Sequence, residues 1–389
     1  MKLLYVSTHQ IHNLTPLFRA LTKRKEIKFK TIYWVNISTN VYDPAFDKII
    51  NFEVDPFSGH DYQCLFNDKK DVYNFGFLTR LKVIPRLIKL IFTEKFDVIV
   101  FHGYGVPHIF GAITSKIIGK KTILRNISYN LGKRSLIKRS LRYIFYSFSN
   151  LFFDNYWTIH RLNELFFLNF NVKKKNMYLI DHCQGEYKSM IENEPSLLLN
   201  KNDFCNKYDL PNNKKFILFA GRFIERKNPK ILIESFFNAN LSDDWFLIIV
   251  GNGKFEKDLK SYAKNNNLKN IKFFDFQSQK KIISFFKNSE FLVVPSNVGD
   301  THGNIAAEAI QFGCALLLSN MVGLHLECVK EDIGLVFDIN KNDQLTSHLQ
   351  LLCSDNDILK KFQINAFEYG KKKTPEYSAN LIVNSLLKK

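Results

Sequence analysis

The chain has 389 residues, 46 % of them hydrophobic and 14 % aromatic, with a formal net charge of +18 at neutral pH. That length and apolar content exclude a disordered chain and a single small domain, and make two domains the default. The six cysteines, Cys64, Cys183, Cys205, Cys314, Cys328 and Cys353, form no CxxC pair and no His/Cys cluster at metal-ligand spacing, so they read as reduced, mostly buried thiols.

The N-terminus, "MKLLYVSTHQ", has one lysine and then a short strand-like run, which argues against a secretory signal. No run reaches the roughly 18 apolar residues that span a bilayer. Further apolar runs follow: "FKTIYWV", "FDVIVFH", "KTILR" and "YWTI" in the first half, then "KFILFAG", "WFLIIVG", "IKFFDF", "EFLVVPS" and "CALLLS" in the second. Between them lie "HIFGAITSKIIG", "PKILIESFFNAN", "FEKDLKSYAKNN" and "QKKIISFFKNS", whose apolar residues recur at helical spacing. Strands alternating with helices predict parallel sheets wound by right-handed crossovers. Two such series predict an α/β chain of two Rossmann-like domains facing across a cleft. The expected division is 1–180, 181–375 and a C-terminal helix, 376–389, packing back towards the first domain, with the polar stretch 182–203 at the boundary.

Charge is unevenly placed. Residues 1–178 carry 28 Lys+Arg against 12 Asp+Glu, a balance of +16, which leaves 27 against 25, or +2, for the rest. Such a field predicts an acidic partner: nucleic acid, anionic membrane or a phosphorylated substrate. Residues 132–148, "GKRSLIKRSLRYIFYSF", read as a helix with Lys133, Arg134, Lys138, Arg139 and Arg142 on a cationic flank and Leu136, Ile137, Leu141, Ile144, Phe145 and Phe148 as apolar surface. It is either a helix lying on an anionic bilayer or a solvated basic face over a core-packed stripe.

Chemistry-bearing residues sit at the ends of the strand-like runs. His102 ends "FDVIVFH" before a glycine-rich turn, and Arg125 ends "KTILR". His9, His12 and Asn13 lie in the first loop. Gly221 follows "KFILFA" and precedes two spaced cations, Arg222 and Lys227, which either meet phosphate oxygens or form a solvated basic turn. Gly251 and Gly253 give a second tight strand-to-helix turn, by itself weak evidence for a ligand. After "FLVVPS", Asp300 and Glu308 are separated by seven residues with Gly303 and Asn304 between them, so that a helix starting near Gly303 would direct backbone N–H groups at a bound anion. Asp355-x-Asp357 resembles a metal pattern and reads instead as helix capping.

"GRFIERK", "VGNG" and Asp300-x7-Glu308, in this order and each at the end of a buried strand, resemble the C-terminal half of the retaining GT-B glycosyltransferases of family four, the glycosyl transferases group 1. The resemblance implies transfer of a sugar from a nucleotide diphosphate sugar, UDP or GDP, to a glycan or lipid-linked glycan hydroxyl, with no metal or other cofactor required. It implies Arg222 and Lys227 as diphosphate ligands, Glu308 as the ribose ligand and Asp300 as the sugar-facing acid. Gly221, Gly251, Gly303 and Asn304 would line the donor, His102 would touch the reacting sugar or acceptor, and His9 and Arg125 would serve the acceptor side. Asp300 stands where the family usually has Glu, and His302 where Phe is common. The implied setting is bacterial surface polysaccharide synthesis (capsule, lipopolysaccharide or O-antigen), in the cytoplasm or peripheral on the cytosolic face of the inner membrane. Two rival readings stand beside it. A catalytically silent donor-binding subunit fits the Asp300 departure. A basic nucleic-acid-binding protein fits the charge but lacks any compact recognition motif, so nucleic acid is not the expected partner.

Overall fold

A computed structural model describes residues 1–36, 40–43, 48–51, 55–69, 77–128, 135–183 and 185–387. Lys133 and Arg134 of the basic segment lie outside them, as does the side chain of His12. The strands are β1 Lys2–Ser7, β2 Lys28–Asn36, β3 Asn40–Asp43, β4 Lys48–Asn51, β5 Asp61–Lys69, β6 Val98–His102, β7 Lys121–Arg125, β8 Asn155–Thr158, β9 Met177–Leu179, β10 Lys215–Ala220, β11 Trp245–Val250, β12 Ile271–Phe274, β13 Phe291–Val294, β14 Ala315–Ser319 and β15 Gly334–Phe337. The chain divides into two units, Met1–Val41 with Val54–Cys183 and Pro375–Lys389, and Tyr42–Glu53 with Gln184–Thr374.

The first unit is built on a seven-stranded sheet in the order β5-β2-β1-β6-β7-β8-β9, with every pair parallel. Both faces are covered, so its central strands are apolar on successive residues. Leu4, Val6, Ile99 and Phe101 face one core, and Leu3, Tyr5, Val98 and Val100 face the other. The C-terminal helix Pro375–Leu387 completes the second of these cores with Ala379, Ile382, Val383 and Leu386. The second unit holds a six-stranded parallel sheet, β12-β11-β10-β13-β14-β15, whose alternate residues again feed two cores: Leu218 and Ile248 on one face, Ile217 and Leu247 on the other. β3 and β4 form a separate two-stranded sheet.

The topology locates the sites. In the first sheet the chain runs outward from β1 through β2 to β5, then returns to β6 and proceeds the other way. The second sheet repeats this with β10 and β13. Crossovers leaving in opposite directions open a crevice at the carboxyl ends of the two strands at the reversal. Those ends are Ser7 and His102 in one unit, and Ala220 and Val294 in the other.

Candidate active site

In the second unit the ends of β10 and β11 approach so closely that glycine is required. The Gly221 N–H donates to the Val250 carbonyl at 3.0 Å, and the Gly251 N–H to that of Phe274 at 2.9 Å. Gly251 has φ +146°, and a Cβ there would lie 1.9 Å from the Gly221 carbonyl oxygen. A Cβ on Gly253, at φ +151°, would lie 2.7 Å from the Phe223 oxygen. This backbone packing accounts for "VGNG" with no ligand invoked. At Gly221 an added Cβ meets nothing nearer than Phe219 at 3.5 Å. Asn252 locks the turn, its side-chain amide donating to Asp275 at 3.0 Å and its Oδ1 accepting from the Phe276 N–H at 2.7 Å.

Beyond Gly221, Arg222 is half-buried, and a 3-10 turn at Glu225–Lys227 leads through left-handed Asn228 into the helix Pro229–Ala239. That turn aims the Lys227 ammonium at the carboxylate of Asp300, 73 residues away, and the two form an ion pair. Their side chains are 17 % and 10 % exposed. Asp300 is fixed by its backbone, its N–H donating to the Met321 carbonyl at 2.9 Å and its carbonyl accepting from Gly323 N–H at 2.8 Å. Gly303 sits at φ +87° with its missing Cβ directed at Val322 Cγ1, 2.5 Å away. The helix that follows, Asn304–Ala309, is short and passes into the 3-10 turn Ile310–Phe312. Glu308 is half-buried on it. Burial pushes its carboxyl up to about 7, and a hydrogen bond with Tyr187 pulls the other way.

The first unit places His102 and Arg125 in register on adjacent strands β6 and β7. The Tyr5 hydroxyl, reaching across from β1, lies 2.7 Å from His102 Nδ1 and accepts from Arg125 Nη1 at 3.3 Å. Arg125 Nη2 meets His182 Nδ1 at 3.0 Å. Arg125 is 0 % exposed, so in this structure it lies behind Tyr5 and His102 rather than at a ligand-facing surface. His102 is half-buried, and burial, then the Arg125 charge, holds its imidazole well below the usual histidine range. Burial likewise lowers His9, whose ring is bonded to the Thr8 hydroxyl. Tyr5, Tyr187 and His182 escaped the reading from sequence. Tyr5 reads as one more core residue of a buried strand, His182 and Tyr187 as part of a polar boundary, and only long-range contact reveals their partners.

The helix Leu136–Asn150 decides between the two readings of the basic segment as far as packing goes. Ser149 is its one buried residue. Ile137, Leu141, Ile144 and Phe148, on one face at i, i+4, i+7 and i+11, are 74, 63, 64 and 55 % exposed. The stripe is not packed in a core.

The family described as "Glycosyl transferases group 1" matches residues 200–369, the segment that carries the Lys227–Asp300 pair. Residues 200–369 are therefore similar to a glycosyl transferases group 1 domain. An uncharacterized glycosyltransferase of Methanocaldococcus jannaschii is 27 % identical over 157 residues, 40 % of this chain and 43 % of that protein. The chain thus spans less than half the length of that relative. The Escherichia coli UDP-Gal:alpha-D-GlcNAc-diphosphoundecaprenol alpha-1,3-galactosyltransferase is 25 % identical over 292 residues, covering 72 % of this chain and 73 % of that one. Among solved structures, Anabaena HepE in complex with UDP superposes with a TM-score of 0.70 over 99 % of each chain at 15 % identity. The chain has the GT-B fold that the resemblance implies, with the two parallel sheets that its alternating strands and helices predict.

Proposed function

We propose that this protein transfers a sugar from a UDP-sugar to a hydroxyl of a lipid-linked glycan, with retention at the anomeric carbon, in the synthesis of a bacterial surface polysaccharide. The observation that carries this reading is the Lys227–Asp300 pair at the β10/β13 reversal of a group 1 domain. A donor diphosphate arriving there offers Lys227 a stronger anionic partner and releases the Asp300 carboxylate to hydroxyls of the donor sugar. As the bond from anomeric carbon to phosphate oxygen breaks, negative charge gathers on the leaving diphosphate, where Arg222 and Lys227 stabilise it. The acceptor oxygen bonds to the anomeric carbon on the same face, and its proton passes to the departing phosphate oxygen. UDP as the nucleotide is supported by the E. coli relative's UDP-Gal and by the UDP bound in HepE.

The exposed stripe on Leu136–Asn150 supports an anionic bilayer as the second partner. Lys138, Arg139 and Arg142 stand beside it, and residues 101–150 contain no acid. An apolar face with cations at its flank lowers its energy by entering the headgroup boundary, each cation contributing ~1 kcal/mol near the surface. Thermal shift against UDP-, GDP-, ADP- and CMP-sugars, repeated with Arg222→Ala and Glu308→Ala, tests the donor reading. Stabilisation by a UDP-sugar that both variants lose is expected. No stabilisation by any nucleotide sugar sinks it, and binding without turnover reduces the protein to a donor-binding subunit.

A further inference from the structure

The hydrogen-bond chain behind His102 has only one consistent assignment of protons. Arg125 has donors alone and no lone pair to offer. Tyr5 Oη, accepting from Arg125 Nη1, retains one O–H, and His102 Nδ1 is the partner left for it among the described residues. A tyrosine that is 0 % exposed does not leave its hydroxyl proton unpaired without a penalty, so the O–H donates to Nδ1. Nδ1 is then an acceptor, and the imidazole proton must be on Nε2. Nε2 itself makes no hydrogen bond among the described residues. The second arm repeats the logic, because Arg125 Nη2 donates to Nδ1 of His182 and places that ring's proton on Nε2 as well.

We propose that Arg125 and Tyr5 are positioning residues that lock His102 as a neutral Nε2–H donor, so that the carboxyl end of β6 presents an N–H to a ligand oxygen and does not act as a general base. The role of base is closed because Nε2 already carries its proton and Nδ1 is occupied by Tyr5. The charge arrangement supports the same state. Protonating His102 would set an imidazolium beside a guanidinium that is fully buried and has no ion pair among the described residues, and burial already disfavours the charged ring. A neutral donor suits a sugar hydroxyl oxygen, which accepts a hydrogen bond without demanding a counter-charge. That the ligand is a sugar rests on the transferase reading; the tautomer does not.

The test is nitrogen NMR on the full chain with its ten histidines labelled with 15N, the His102 signals being assigned by their loss in His102→Gln. Wild-type protein near neutral pH is expected to show His102 with an unprotonated, pyridine-like Nδ1 and a protonated Nε2. Free imidazole populates both tautomers, so the decisive observation is the change in Tyr5→Phe, which keeps the ring in its core and removes the hydroxyl. There the two nitrogens should move towards exchange-averaged positions. A protonated Nδ1 in the wild type, or an unchanged spectrum in Tyr5→Phe, overturns the proposal. Arg125→Gln should loosen both His102 and His182, and if that variant fails to fold the Tyr5→Phe result still decides. Nucleotide-sugar binding by a protein whose His102 carries Nδ1–H would retain the transferase and discard the relay. A locked Nε2–H tautomer in a protein that ignores every nucleotide sugar would do the reverse.

Discussion

At the reversal of the C-terminal sheet the charged groups meet each other: Lys227 is held against Asp300, and Arg222 follows the same strand. At the reversal of the N-terminal sheet the cation is hidden. Arg125 is sealed behind Tyr5, and what faces outward is a neutral imidazole. The surfaces differ in the opposite sense. The N-terminal unit carries the exposed apolar stripe and most of the chain's positive excess, whereas the second half of the sequence is nearly balanced. One topology thus yields a crevice end that holds a cation against a carboxylate and another that holds its cation beneath a tyrosine and a histidine. The difference lies in where each unit puts its cations: in the crevice, or beneath and outside it.

Removing the crevice cation is the harshest way to break that comparison. Lys227→Ala strips the diphosphate of a charge partner and leaves Asp300 without its ion pair. Turnover of a UDP-sugar should fall about 100- to 1,000-fold, the range found when one preorganised stabilising donor is lost. A loss under about fivefold would mean that Lys227 serves only to hold Asp300. Next in size comes the glycine pair. Gly251→Ala puts a methyl 1.9 Å from the Gly221 oxygen and should cost about 3 kcal/mol of stability or more, read by denaturant unfolding. Gly221→Ala has room at 3.5 Å and should leave stability nearly unchanged while weakening the thermal shift produced by a UDP-sugar. If both variants fold equally well, the close approach of β10 and β11 is not the reason for the glycines.

The two units also differ in what could be read before the structure. β1, β6, β10, β11, β13 and β14 stand out because a parallel sheet covered on both faces needs unbroken apolar runs such as "WFLIIV". Of the edge strands of the two large sheets, β12 is read from "IKFFDF", while β5, β9 and β15 escape. β9, "MYL", is only half-covered, and β5, "DYQCLFNDK", mixes charges into its alternation, so neither carries that signature. At the ends of β10 and β13, Arg222, Lys227, Asp300 and Glu308 were legible through their spacing and its resemblance to a family motif. The pairing of Lys227 with Asp300 was not, since spacing along the chain says nothing about a contact across 73 residues. The N-terminal site was legible only as His102 and Arg125. Its working partner, Tyr5, is disguised as core.

The surface contrast is tested by Ile137→Ser on the exposed stripe. Its cosedimentation with vesicles of mixed neutral and anionic phospholipid should weaken roughly thirtyfold, the ~2 kcal/mol of one large apolar side chain returned to water. Its unfolding midpoint should not move, because the residue is 74 % exposed in the folded protein. A fall in stability with vesicle binding intact would return the stripe to an internal packing role.

Glu308 gives the smallest effect and the most direct test of the proposed donor site. Burial pushes its carboxyl up to about 7 in the folded protein, against the usual carboxylate range when unfolded. The folded state therefore holds a proton that the unfolded chain releases. Stability from this group is greatest below the unfolded value and is lost as pH rises towards 7. A ribose diol donating to both oxygens of Glu308 is held best by the ionised form, so UDP binding in the proposed pose should expel that proton. At pH 6.5 roughly three quarters of a proton should leave per UDP bound, and affinity should rise about tenfold between pH 6 and pH 8 before levelling off. Calorimetry in two buffers of different ionisation enthalpy counts the proton, and Glu308→Gln should abolish its release. Equal heats in both buffers for the wild type would place the ribose elsewhere, leaving Glu308 as a buried acid that serves Tyr187 alone.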